Sequence, residues 1–562
     1  MDITRENFLD TLPAILEQIN QAEFISFDLE MTGIYSSDRS KSNRKDDLPS
    51  RRYENMIGVA TKFNIIQVGL CTFKKQKPRA SKSKPSYEAS AYNIYMFPDG
   101  GNDIIMSPSS IDFLRKNGMD FGTWIGKGLS FNDAKGEEYL RKRFLDTKDP
   151  SDESNHIVLS RPNDINFFEK NWENLMEYVN ADAGANANAN ANRCFIFEPC
   201  NRFMQRHIHE QVGLKLPNVV LSKTDDGRSL KATKLSTKEI IKHQEAKRNE
   251  NENNFNLKMG FRLILKEIMN SKKPIVGHNC FFDILFILRW CDAPLEENFD
   301  AFRERLCSQL PYIYDTKYVA TCGILDMKFD DTALNKLYEA CVLDRGDDAV
   351  KVSLIKGCEL NEEKFHDAGY DAYCTGCVFA NELDLGNDAA HLKATCMNRL
   401  FMMQSLYHMN LDPTSPHGDL KYDGLIVHVS KFEKKTNTND ILAPFVNAGI
   451  KMNHLEAIWI DDDGIFVCIA STITWEELKQ SIHCPRVWIM KSYDEFIEDV
   501  GNDEDKSEAN GGFGVISSLM IIGRTISNSL FGGASASGER KRNSAGLEFN
   551  ERPAKRGRNI YV

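Results

Sequence analysis

Three runs of apolar residues at strand spacing open the chain: Phe24 to Glu30, Ile65 to Phe73 and Ala91 to Phe97. Short polar connections around the second run predict an antiparallel meander. The Lys74 to Pro85 stretch, rich in Lys, Ser and Pro, reads as a solvated hairpin tip. Helical periodicity follows at Ser110 to Lys116 and Lys135 to Leu145. An Ala-Asn alternation from Ala185 to Asn192 has no core-forming side chain and predicts a flexible linker. A compact segment, Cys194 to Leu221, gives way to a polar, charged stretch from Ser222 to Asn256. Apolar patterning then resumes at Met259 and runs to about Leu400, so the intervening region reads as a small domain inserted into a larger one. The expected boundaries are 1–160 and 258–405 for the two parts of an α/β domain and 161–257 for the insert with its linkers. A further strand-rich block occupies 420–500, and 501–562 form a disordered basic tail.

Composition narrows the class. A chain of 562 residues is too long for one core, and 41% apolar with 27% charged residues is ordinary for a folded, water-exposed protein. The net charge of −11 excludes coating nucleic acid by bulk charge but leaves room for a local basic track. Fourteen cysteines fall in no framework, and Met1 to Glu17 has no apolar signal region, so reduced thiols are expected. Cys374 and Cys377 lack a second pair at zinc spacing and read as small buried helix residues. The apolar stretch Gly511 to Phe531 is interrupted by Arg524 and predicts no membrane span.

The candidate chemistry lies in three short motifs. In Phe24-Ile25-Ser26-Phe27-Asp28-Leu29-Glu30 the strand period puts Asp28 and Glu30 on one face. Paired carboxylates resist joint ionisation unless a cation sits between them, although an exposed polar strand face would show the same spacing. In Ile275-Val276-Gly277-His278-Asn279-Cys280-Phe281-Phe282-Asp283 a strand ends at Gly277 and a helix starts near Asn279, an effective cap type. Asp283 follows one turn in, among apolar neighbours; it either needs a partner or answers the helix dipole. In Phe365-His366-Asp367-Ala368-Gly369-Tyr370-Asp371, His366 enters a helix and Asp371 lies inside it. Four acids and a histidine satisfy two-metal phosphodiester hydrolysis: hard oxygen ligands suit Mg²⁺, and His366 has the pKa range of a general base.

The order Asp-x-Glu, Asn-x3-Asp, His-x4-Asp resembles the His-type DEDD exonucleases, which have a ribonuclease-H-like α/β fold. The resemblance narrows to the poly(A)-specific ribonuclease family through Phe27 to Ile34, Gln67 to Phe73, Ser110 to Leu114, Gly118 to Phe121, Gly277 to Asn279, Asp315 to Lys317 and His366 to Gly376. It implies Asp28, Glu30, Asp283 and Asp371 as ligands of two Mg²⁺ ions, with Mn²⁺ as a substitute, and His366 as the catalytic histidine. Asp315 is held as a supporting or structural residue. The implied activity is 3′-to-5′ exoribonuclease action on single-stranded RNA, releasing 5′-nucleotides from poly(A) tails or other 3′ extensions. Trimming of small non-coding RNAs such as piRNA precursors, and a silent RNA-binding scaffold, are the alternatives. A homodimer is also implied.

Two accessory regions join this resemblance. Glu198 to Phe203 is similar to the start of the family's Arg-x3-His insert, but Arg202 and His207 are five apart. Arg202, Arg206, His207 and His209 form either a positive face for RNA or a plain solvated helix face. The 425–498 block reads as an RRM-like α+β domain, with Leu425 to Val429 and Gly464 to Ile469 as central strands and a helix near Asn439 to Asn447. Phe466 is its candidate stacking aromatic. Trp459 matches by position the family's tryptophan for the mRNA 5′ cap, or is a core residue. The clusters Arg540-Lys541-Arg542 and Lys555 to Arg558 resemble a bipartite nuclear signal, which gives nucleus and cytoplasm as the expected locations.

Overall fold

The computed structural model describes residues 1–35, 47–77, 84–98, 100, 103–146, 157–180, 194–325, 327–358, 360, 365–386, 388–422, 424–433, 435–460 and 464–499. Chain contacts divide it into Met1–Ile489 and Met490–Val562. The Ala185 to Asn192 linker and the tail with its basic clusters fall outside the described residues.

The predicted meander is present. Strand β1 (Phe24–Met31) pairs antiparallel with β2 (Ile65–Lys75), which pairs antiparallel with β3 (Ser86–Tyr95). On the other side of β1 lie two short parallel strands, β4 (Ile275–Gly277) and β5 (Ile313–Asp315). The resulting order β3-β2-β1-β4-β5 continues through Arg399–Leu400 and Tyr407–Asn410. A mixed α/β sheet of this order is consistent with the ribonuclease-H-like arrangement the motifs imply.

Both faces of the sheet are covered, which explains why β2 is buried along its first nine residues. One core takes Ile25, Phe27 and Leu29 of β1 together with helix α1 (Pro49–Lys62) and helix α2 (Phe281–Cys291). The other takes Phe24, Cys71 and Phe73 with helix α3 (Ala368–Leu385). Cys374 and Cys377 are both buried in α3, as their sequence context suggested. All fourteen cysteines are free thiols.

The compact segment Cys194 to Leu221 packs with residues on either side of it in the sequence. One buried cluster joins Leu175, from the helix Pro162–Asn180, to Phe197, Ile208 and Val212, and to Leu230 and Ala232 of the strand Leu230–Lys234. That strand lies inside the stretch taken as polar and charged, because only two of its five residues are buried. From Thr237 onward that stretch belongs to the helix Thr237–Met259, started by a Ser236/Glu239 capping box. In the C-terminal block, Leu425–Ser430 and Leu455–Trp459 both pair antiparallel with Gly464–Ile469. Helices Thr438–Asn447 and Trp475–Ser481 follow the first and third of these strands. No helix among the described residues is long and apolar enough to cross a membrane.

Candidate active site

The alternation of β1 sends Ile25, Phe27 and Leu29 into one core and leaves Ser26, Asp28 and Glu30 on the face beneath α3. Two features bring α3 down onto that face. Ser26 Oγ donates to the carbonyl of Ala372 at 2.6 Å. Gly69, the β2 residue opposite Asp28, sits so close that an added Cβ would lie 1.7 Å from the Ala368 carbonyl oxygen. Any side chain there would push off the helix that carries Asp371. The outcome is that single oxygens of Asp28, Glu30 and Asp371 all lie within 4.8 Å of one another.

No cation of the chain offsets this cluster among the described residues. Burial pushes the Asp28 carboxyl well above the usual range, and Asp371, Asp283 and Glu30 push it further. Glu30 is raised in the same way, by burial first and then by Asp371 and Asp283. Asp371 is raised to about 7 by burial, partly offset by the His366 N–H, which donates to its Oδ2 at 3.0 Å. Its Oδ1 is buried with no hydrogen-bond partner. Asp283, in the first turn of α2, is also raised to about 7 by burial, with backbone N–H groups offsetting part of the effect. It reaches the cluster through its charge but lies outside the three-residue group within 4.8 Å. A buried carboxylate set with an orphaned oxygen fits a hard divalent cation.

His366 stands two residues before α3 in a left-handed conformation, φ +71°. Its ring packs edge-on against Phe113, centroids 4.8 Å apart, and makes no hydrogen bond among the described residues. The backbone of His366, rather than its imidazole, is what meets Asp371. Burial lowers the imidazole pKa, which favours the neutral, proton-accepting form.

Asn279 corrects an expectation. The cap of α2 is Cys280, with no side-chain bond, while Asn279 has φ +54° and its N–H donates to Asp315 Oδ1 at 2.8 Å. The tight turn out of β4 needs a left-handed residue, a role Asn tolerates. Asp315 is fully buried and also accepts from Lys317 N–H and Phe401 N–H, both at 3.0 Å. It thus ties the start of α2 to the loop after Arg399–Leu400.

With this geometry in place, comparison with known proteins is decisive: residues 3–379 match the model of the CAF1 family ribonucleases. The chain belongs to that family. The poly(A)-specific ribonuclease PARN of Xenopus laevis is 26% identical over 90% of this chain and 83% of its own length. The pre-piRNA 3′-exonuclease trimmer of Bombyx mori is 27% identical, over 71% of this chain and 72% of its own. Among solved structures, S. pombe Pop2p in its Mg²⁺- and Mn²⁺-bound form aligns at 14% identity. It covers 71% of this chain and 98% of that one with a TM-score of 0.35, too low to transfer anything.

Two residues near this carboxylate cluster escape the motif reading. Asp367, held by Asn93 at 3.2 Å, adds a further repulsive charge to Asp28, Glu30 and Asp371. It stood inside the third motif, adjacent to His366, and only its contacts distinguish it. Phe401 reaches the neighbourhood through Asp315, from a segment with no motif at all.

The accessory candidates fare unevenly. Arg202, Arg206 and His209 are exposed on the helix Arg202–Lys215, but His207 is 6% exposed and packs against Phe168. It lies on the buried side of that helix, so the face expected to include it is narrower. Phe466 is completely buried and packs on His428, which removes it as a stacking surface for a base. The strand Gly464–Ile469 is buried at all six positions, so neither of its faces offers a free aromatic. Trp459 is half-buried, donates through Nε1 to Thr438 Oγ1 at 2.9 Å and meets Phe432 edge-on.

Proposed function

We propose that this chain is a divalent-metal-dependent 3′-to-5′ exoribonuclease that shortens poly(A) tails or other single-stranded 3′ extensions and releases 5′-nucleotides. The observation that carries this reading is the group of Asp28, Glu30 and Asp371 oxygens within 4.8 Å, with Asp371 Oδ1 buried and unpartnered, in a member of a ribonuclease family. Asp28, Glu30, Asp283 and Asp371 would hold two Mg²⁺ ions, with Mn²⁺ able to replace them. When bound, the ions supply an activated water and charge stabilisation on the scissile phosphate. His366, kept neutral by burial, takes the proton from the attacking water, and Phe113 limits the swing of its ring.

The PARN of Xenopus laevis aligns over 90% of this chain, whereas the pre-piRNA trimmer of Bombyx mori and the poly(A)-specific ribonuclease PNLDC1 of Mus musculus align over 71% and 70%. That extent favours a PARN-type reading over small-RNA trimming. The strand-helix-strand-strand-helix order of the block supports an RRM-like domain at 420–500, and the core around Leu175 and Ile208 supports the insert at 161–257. A homodimer, a cap contact at Trp459, an RNA contact at Arg202 and a presence in both nucleus and cytoplasm complete the proposal.

Digestion of a 5′-labelled RNA with an adenosine tail, beside one with a mixed 3′ end, tests the reading. Stepwise shortening that requires Mg²⁺ and is lost in Asp28→Ala is the expected result. RNA that stays bound and uncut in every condition would leave only the scaffold.

A further inference from the structure

In the core beneath α3, Cys322 and Cys396 bring their sulfurs to 3.7 Å although they stand 74 residues apart in the chain. Two short helices set the place. Cys322 ends the helix Thr316–Thr321, which leaves β5 at Asp315, and Cys396 is the last residue of the helix Ala389–Cys396. The strand after the second helix, Arg399–Leu400, runs parallel to β5 and pairs Arg399 with Tyr314, so the sheet itself holds the two helix ends together. A disulfide keeps its sulfurs about 2.05 Å apart, so roughly 1.7 Å of closure separates this contact from a bond, within the reach of side-chain rotation.

The two thiols are not equivalent. Cys322 is half-buried between the exposed Thr321 and Gly323, whereas Cys396 is 0% exposed, so a small oxidant reaches Cys322 first. The Cys396 S–H, donating to it, holds Cys322 below the usual thiol range against the effect of burial, and the Ile324 N–H helps. The same bond, and burial with it, pushes Cys396 up. Access and thiolate character mark a cysteine for oxidation, and a second thiol in contact resolves the product. Burial pushes the Cys280, Cys291, Cys341 and Cys377 thiols the other way.

Glu382 of α3 lies close enough for its charge to act on Cys396. It is 0% exposed, and neither carboxyl oxygen has a hydrogen-bond partner among the described residues. Burial first, then Asp315 and Cys322, raises its pKa well above the usual range, so it stays neutral and sets no charge against a thiolate. A structural metal would need more than two ligands. Among the described residues no third His, Cys, Asp or Glu ligand atom lies within 4.8 Å of both sulfurs. Glu382 also stands eleven residues past Asp371, about 16 Å along α3, which separates this cluster from the carboxylates.

We propose that Cys322 and Cys396 are a redox pair that closes to a reversible disulfide, with hydrogen peroxide as the oxidant. The Cys322 thiolate attacks one peroxide oxygen; the S–O bond forms as the O–O bond breaks, and hydroxide leaves and takes up a proton. Cys396 then attacks the Cys322 sulfenic sulfur. The S–S bond forms, the S–O bond breaks, and the Cys396 proton leaves with the oxygen as a second water. The pair gives up two electrons and the peroxide accepts them. The bond closes a long loop and fastens the strand Arg399–Leu400 to β5, which stabilises the folded chain under oxidising conditions without entering the carboxylate site.

The test uses the full chain, reduced, in EDTA, treated with one equivalent of hydrogen peroxide, alkylated and mapped by mass spectrometry. A Cys322 peptide joined to the Cys396 peptide within one chain, and released by dithiothreitol, is the expected product, with the other cysteines alkylated. The midpoint of thermal unfolding should rise by about 2–5 °C on oxidation and return on reduction. Cys396→Ser should stop at a Cys322 sulfenic acid that dimedone traps, and Cys322→Ser should leave Cys396 unoxidised. Both variants, when reduced, should cut RNA at the wild-type rate. Recovery of Cys322 and Cys396 as thiols while other cysteines oxidise, or a bond from Cys322 to another chain, would overturn the pair. A linked pair with an unchanged or lower melting midpoint would overturn its stabilising role. The mapping is made on the unsubstituted chain, so it stands whether or not either variant folds.

Discussion

Two buried acidic clusters in this chain are built on opposite electrostatic plans. Around Glu137 and Asp292 every carboxylate meets a cation. Arg262, 8% exposed at its side chain, bridges Glu137 at 2.9 Å and Asp292 at 3.3 Å, Lys266 reaches Glu137 at 2.6 Å, and Arg305 reaches Asp292 at 2.8 Å. Burial alone would raise the Glu137 carboxyl, but hydrogen bonds from Lys266, Arg262 and Arg141 outweigh it and hold it down at about 2. At Asp28, Glu30, Asp283 and Asp371 the same burial meets further negative charge, backbone N–H groups offset only part of it at Asp283 and Asp371, and all four are pushed up. The first cluster is complete within the chain and ties helices together. The second has no such partner among the described residues, and that is the arrangement the proposed metal-dependent site requires. An acid cluster is therefore read by its partners, not by its count.

The largest break in this contrast comes from Asp371→Asn. Activity should fall by about 10³-fold or more, since one ligand of the clamp and several kcal/mol of transition-state stabilisation go with it. The same variant should melt at a higher temperature than wild type in EDTA at pH 8, because an amide removes the repulsion while its oxygen can still accept from the His366 N–H. Loss of activity together with loss of stability would mean the carboxylate is structural.

Next comes Arg262→Met, which strands Glu137 and Asp292 without their shared partner. Denaturant melts should show a loss of about 3–5 kcal/mol. Activity per folded molecule at low temperature should change little, because the ion network does not touch the site's carboxylates.

A pH titration of stability sharpens the comparison further. For Asp283 and Asp371 the folded pKa of about 7 exceeds the ordinary 3.8. The folded state therefore binds protons more tightly than the unfolded one, so their contribution is whole below pH 3.8 and is lost as pH rises through about 7. In EDTA the midpoint of thermal unfolding should fall across that window, and saturating Mg²⁺ should abolish the fall. Glu137 runs the other way: its contribution is present above pH 4.5 and is lost as pH drops towards about 2. A flat profile in EDTA would contradict the unpaired cluster.

The smallest effect is expected of Lys266→Met. Its ammonium is 40% exposed at the side chain, so solvent screens the bond to Glu137 and the loss should stay within about 1 kcal/mol by chemical denaturation.

The motifs themselves show how far a sequence carries. Strand alternation alone set Asp28 and Glu30 on one face, and the structure has them there because the period of two is a property of the local backbone. The meander, the helix with Asp371 and the burial of Cys374 and Cys377 were legible for the same reason. Other features depended on neighbours that lie far away in the chain. His207 looked like part of a charged helix face until Phe168 covered it, and Phe466 looked like a stacking ring until its strand was buried on both sides. Asn279 looked like a cap, but Asp315, 36 residues on, takes its N–H and fixes the turn. The thiol contact needs Cys322 and Cys396 together, two residues 74 apart that no spacing rule connects. The sequence by itself determined which carboxylates exist and which way each leaves its own strand or helix, since short-range geometry decides that. Only the tertiary structure decided which charges would be left unpaired and which surfaces uncovered, because pairing and burial are properties of partners brought in from elsewhere in the chain.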